Sequence, residues 1–163
     1  MAKNKTNETE IETENAETEI EKVEKIEFSG EIVMRERIDE DTDETRYSVA
    51  ILMNNPFAEL FEGGAENEYN RQIFLGFRES QGKVRAQFMY QAKRVLETCD
   101  KIEFSGFARR KKFFDLEKRK RVKYIAISIK SPFNDGFVNV TIPRADTLGL
   151  FEMFADERLK PLK

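Results

Sequence analysis

The sequence predicts a mainly β protein: a small antiparallel barrel with helices attached. Three observations predict it. Apolar residues alternate with polar ones in five or six short runs; only two stretches switch to helical spacing; and the first helical stretch falls between the third and fourth strand-like runs. A chain of 163 residues accommodates one such domain and a tail.

The first run, KIEFSGEIVMRERI (25–38), sets Ile26, Phe28, Gly30, Ile32 and Met34 on one face. A polar loop, DEDTDET (39–45), leads to a second strand at 46–53, so the two read as a long hairpin. Residues 54–70 carry Pro56 and Gly63-Gly64 and read as a loop with a helical turn. A third strand is expected at 71–77. Residues 84–99 then change period: Phe88, Ala92, Val95, Leu96 and Cys99 share one helical face, with Cys99 expected in the core. The fourth strand opens at 101, the fifth spans 121–129 with Ile125, Ile127 and Ile129 facing one way, and a sixth spans 137–142. A last helix from about Asp146 aligns Leu148, Phe151, Phe154 and Ala155, with Asp146 or Thr147 as cap and Pro143 just outside. Strand-strand-strand-helix-strand-strand is the element order of an OB-fold, a five-stranded Greek-key barrel, here with a C-terminal strand and helix extension.

The hexapeptide KIEFSG occurs twice, at 25–30 and 101–106. The flanks differ, EIVMRER after one copy and FARRKKFF after the other, and this argues against a tandem repeat. Both copies are expected to serve as strands one and four of one barrel, each with inward Ile and Phe, outward Glu and Ser, and a Gly where the strand bends.

Charge divides the chain. Residues 1–24 hold eight Glu against three Lys and few large apolar groups, a composition expected to stay disordered and solubilising. Ile20, Val23 and Ile26 suggest a short amphipathic turn at its end. Residues 25–143 form the expected barrel domain and 144–163 a helix with a basic end. With no histidine and a single cysteine, imidazole catalysis, Cys-His nucleophiles, disulfides within the chain and Cys/His metal cages are excluded. No phosphate-cradling glycine motif is present. The expectation is therefore a non-enzymatic cytoplasmic protein with no cofactor, no small-molecule substrate and no membrane association.

The segment FARRKKFFDLEKRKRVKY (107–124) holds nine Lys/Arg against two acids, interleaved with aromatics. Binding single-stranded nucleic acid requires both: cations along the phosphates and ring faces for the bases. Arg109, Arg110, Lys111 and Lys112 precede Phe113 and Phe114; Lys118, Arg119, Lys120, Arg121 and Lys123 precede Tyr124. Folded as a hairpin, these make two basic arms around a shared groove. Phe113 and Phe114 must point to opposite sides of a strand, so at least one of them is expected to stay poorly buried if this arm projects. A merely solvated charged hairpin is the competing expectation.

The stretch KIEFSGFARRKKFFDLEKRKRVKYIAISI resembles the bacterial single-stranded DNA-binding protein family, in which a strand ending in Gly is followed by a basic run, an aromatic and an Asp. The likeness spans roughly residues 25–130 and implies an OB-fold that coats single-stranded DNA with little sequence preference. It places Phe113 where the family has a base-stacking Trp, and adds Phe77 as a second stacking candidate. Arg78 beside it and Tyr47 complete the expected nucleic-acid-binding set. The family's Trp residues and its acidic Pro-Phe tip are missing, the C-terminus reading DERLKPLK. Divergent members of this kind serve phages and conjugative plasmids, so replication, recombination or transfer is the implied setting, with self-association along the DNA. An adaptor binding a protein partner, or an RNA-binding domain, are the alternative expectations.

Overall fold

The computed structural model describes residues 21–162. Within them six strands form one antiparallel sheet: β1 (Lys25–Ile38), β2 (Thr45–Asn54), β3 (Gln72–Leu75), β4 (Lys101–Asp115), β5 (Lys120–Lys130) and β6 (Phe137–Val140). A single turn, α1 (Glu68–Arg71), precedes β3; helix α2 (Gly82–Leu96) separates β3 from β4, and α3 (Ala145–Arg158) follows β6. The strand order is β3-β2-β1-β4-β5-β6. Just beyond the two edge strands, Gly76 and Thr141 exchange two backbone hydrogen bonds of 2.8 and 2.9 Å.

Alternation along each strand decides the layers. On β1, Ile26, Phe28, Gly30 and Ile32 are buried while Lys25, Glu27 and Ser29 are exposed. On β4, Phe104, Gly106 and Ala108 are buried in the same manner. These side chains join Ile51, Met53, Ile73, Leu75, Ile127, Ile129 and Val140 in a core that also takes Phe88 and Ala92 from α2 and Phe151 and Ala155 from α3. Each fully buried aliphatic or aromatic side chain stabilises the fold by about 1.5–3 kcal/mol relative to exposure.

The two KIEFSG copies are strands one and four, as expected, but the expectation against a repeat is overturned. The β1–β4 ladder pairs Ser29 with Ser105, and its other partners are symmetric about that pair. The two hairpins have one register: Gly30 opposite Met53 matches Gly106 opposite Ile129 at an offset of 76 residues. Asp39 and Asp115 open both turns, accepting hydrogen bonds from Asp41 and from Glu117. Asp43 and Arg119 hold the left-handed position in both, at φ 56° and 50°. Past the hairpins, the Phe57 N–H donates to Asn55 and the Phe133 N–H to Ser131. Each half then adds one strand and one helix. The molecule is thus a βββα unit present twice, related by a local two-fold axis at Ser29 and Ser105, and Gly76 meets Thr141 across the same symmetry.

Each helix reaches a phenylalanine of the opposite half. Phe57 of the first half packs edge-on against Phe151 of α3 at 5.4 Å, and Phe133 of the second half meets Phe88 of α2 at 5.2 Å. Glycine is required twice for a close approach: a methyl on Gly30 would strike the Leu52 carbonyl and the Phe104 ring, and one on Gly106 the Ser128 carbonyl and the Phe28 ring.

Other expectations need correction. α2 stops at Leu96, so Cys99 lies beyond it and is exposed, and Val95 is exposed too. The helix must end there for β4 to start at Lys101. α3 has Arg144 at its N-cap and no side-chain cap; the Asp146 carboxylate instead accepts from the Thr147 N–H and pairs with Arg144. The turn expected near Val23 is extended: Val23 bridges in parallel to Leu159, donating to the Arg158 carbonyl and accepting from Lys160. The tail expected at 1–24 lies, for residues 1–20, outside the described residues.

Candidate nucleic-acid interface

The basic segment folds as a hairpin. β4 and β5 pair Lys111 with Tyr124, Lys112 with Lys123, Phe113 with Val122, Phe114 with Arg121 and Asp115 with Lys120. Asp115 closes the four-residue turn by accepting from the Glu117 and Lys118 N–H groups at 3.0 and 3.3 Å. Lys118 and Arg119 lie in this turn and are exposed, as is Lys120.

Pleating divides the hairpin's residues between two sides. Arg109, Lys111, Phe113, Lys120 and Tyr124 share the outer side, away from the helices. There the Phe113 and Tyr124 rings meet edge to face at 5.5 Å and 73°, with Phe113 48% exposed. Arg78, from the turn before α2, joins Lys111 and Tyr124 in lining one recess. The shared groove expected from the spacing is thus divided: this side gathers Arg109, Lys111, Lys120 and Arg78 near the two rings, and the remaining cations fall in the turn or on the opposite side.

The other side holds Arg110, Lys112, Phe114, Arg121 and Lys123. Phe114 is 56% exposed, so both members of the Phe pair are poorly buried. Arg110 is committed elsewhere. Its guanidinium pairs with the Asp156 carboxylate and donates to the carbonyls of Asp156, Leu159 and Lys160, leaving its side chain 16% exposed. A cation there satisfies carbonyls that the end of α3 leaves without helical partners. Arg110 fastens α3 to β4, and its position leaves little to offer a phosphate.

Phe77 does not join the surface. It is half-buried against the core and packs on Phe88 at 5.5 Å. Tyr47 is exposed but sits opposite Glu36 on the β1–β2 hairpin, the equivalent arm in the other half of the molecule.

Sequence reasoning missed a second aromatic pair on the outer side. Phe107 and Phe137 meet at 5.5 Å and 68°, with Lys25 and Arg109 over the Phe107 ring at 5.4 and 5.6 Å. Phe107 has the same strand parity as Phe113, a signal visible in the sequence. Phe137 and Lys25 have none, because β6 and β1 bring them in from elsewhere in the chain.

Among the described residues no group of three or more His, Cys, Asp or Glu is placed to hold a metal ion, and no helix is long and apolar enough to cross a membrane. No family model, no curated protein and no solved structure matches this chain.

Proposed function

We propose that this protein binds single-stranded DNA without strong sequence preference and catalyses no reaction, acting in the cytoplasm in replication, recombination or transfer of a phage or plasmid genome. The observation that carries this reading is the outer side of β4–β5: two aromatic pairs, Phe113–Tyr124 and Phe107–Phe137, in which Phe113 and Phe137 are exposed, with Lys25, Arg109, Lys111 and Arg78 beside them. Bases stack on such rings at about 1–3 kcal/mol each, and every base has a face to offer, so the surface tolerates any sequence. The strip cannot grip a duplex in the same way, since paired bases are already stacked on one another.

We also propose an OB-like shape for the sheet. The Gly76–Thr141 hydrogen bonds support it by joining the ends of the two edge strands, with β6 inserted between β5 and that junction.

The experiment is a fluorescence titration of oligo-dT, oligo-rU and duplex DNA at several salt concentrations. Tight binding of oligo-dT at low salt, weaker binding of the duplex and loss at high salt are expected. Preference for oligo-rU would make the ligand RNA, and no binding of either single strand would end the reading.

A further inference from the structure

The local two-fold makes the β1–β2 and β4–β5 hairpins equivalent arms. Because β1 and β4 run antiparallel through the axis, the arms leave opposite ends of the sheet. Ten residues separate Ser29 from Asp39 and Ser105 from Asp115, which sets the two turns on the order of 60 Å apart along the ladder.

The arms share a register and a turn, yet their charges are opposite. Residues 35–48 carry six Asp/Glu against three Arg; the equivalent residues 111–124 carry seven Lys/Arg against two acids. Each arm also presents apolar groups on its inner side. Ile38 and Tyr47 are 64% and 65% exposed on the acidic arm, and Phe114 stands in the position equivalent to Ile38 on the basic arm. An exposed apolar residue framed by charges of one sign, facing an equivalent surface of the other sign, describes two halves of a contact.

We propose that the acidic arm of one copy is the docking site for the basic arm of a second copy. Ile38 and Tyr47 meet Phe114, and the carboxylates of Glu36 and of the 39–44 turn meet Lys118, Arg121 and Lys123. A contact between unlike ends of one molecule leaves a free arm at each end, so copies add head to tail in an open chain rather than a closed dimer. Charge complementarity fixes the pairing of unlike arms, since like arms repel. Phe113, Tyr124 and Lys111 lie on the opposite side of the basic arm and remain accessible. The contact does not depend on nucleic acid, and its test uses none.

Sedimentation velocity of the full chain, at increasing concentration in low and high salt, is the measurement. At low salt the mean sedimentation coefficient rises with concentration; at high salt it falls to the monomer value. The variant D41K/E44K turns the acidic arm net positive and K118E/R119E/K120E turns the basic arm net negative, so each alone, with two arms of like sign, stays monomeric while their mixture associates. Both variants change exposed residues at the arm tips, and unshifted thermal melts verify their folding. F114S weakens association without altering net charge. A wild-type chain that stays monomeric at low salt, or charge variants that associate as the wild type does, would overturn the proposal.

Discussion

Ser29 and Ser105 stand opposite each other in the β1–β4 ladder, and exchanging the two halves of the chain maps that pair onto itself. Their neighbours follow the same rule, so Gly30 lies under the Phe104 ring and Gly106 under the Phe28 ring. The two copies constrain each other where they meet: Phe28, Ser29 and Gly30 of one pair with Gly106, Ser105 and Phe104 of the other, so the same residue types are required in both.

Gly30→Ala and Gly106→Ala should therefore destabilise the fold to a similar extent. In each case a methyl must displace a carbonyl and a phenylalanine ring, and overpacking of this kind costs about 1–3 kcal/mol. Thermal or urea denaturation of both variants measures it. A large effect at one site and none at the other would contradict their equivalence.

Phe113→Ala should weaken oligo-dT binding by about 5- to 150-fold, the equivalent of one lost stacking interaction. Phe77→Ala should instead lower stability by about 3 kcal/mol, because it removes a half-buried ring packed on Phe88 against the core. Anisotropy titrations and melts of both variants separate the roles, and a folded Phe113→Ala protein that binds like wild type would move the site elsewhere.

Salt dependence reports the phosphate contacts. About four contacts give a log–log slope near −3 for a single strand, and Lys111→Ala should make that slope shallower by about 0.7. Titrations of wild type and variant across a salt series show it. An unchanged slope would remove Lys111 from the contact.

Arg110→Ala should act on stability first. It breaks a partly buried ion pair and hydrogen bonds to three carbonyls that hold α3 to β4, worth about 2 kcal/mol or roughly 4–8 °C in Tm for a domain of this size. Its effect on the salt slope should be smaller than that of Lys111→Ala. The opposite ranking would return Arg110 to the binding surface.

Much of this was legible in the sequence. Alternation placed Ile26, Phe28, Ile32, Phe104, Ile127 and Ile129 inward, and the helical spacing of Phe88 with Ala92 and of Phe151 with Ala155 named the buried faces of α2 and α3. The duplication was legible too once the register was known. Beyond the hexapeptide, the same offset of 76 matches Asp39 with Asp115, Ala50 with Ala126, Ile51 with Ile127, Pro56 with Pro132 and Phe57 with Phe133. It is masked because identity lapses just after each hexapeptide: Ile32 and Ala108 fill equivalent buried positions with different volumes, and farther out the arms face solvent, where packing imposes no identity and the charges have diverged.

The sequence by itself determined where strands and helices form, and that rings and cations alternate through 107–124. These follow from side-chain period along a covalent backbone, which is a local property. The tertiary structure decided which of those residues can meet a ligand. Arg110 and Lys111 are adjacent and both cationic, yet α3 returns from nearly fifty residues away to bind one and leave the other. Phe77 turned inward because α2 supplied Phe88, and Phe137 reached Phe107 because β6 paired with β5. Contacts between segments distant in the chain are set by packing of the whole core, and they leave no periodic trace in the residues they join.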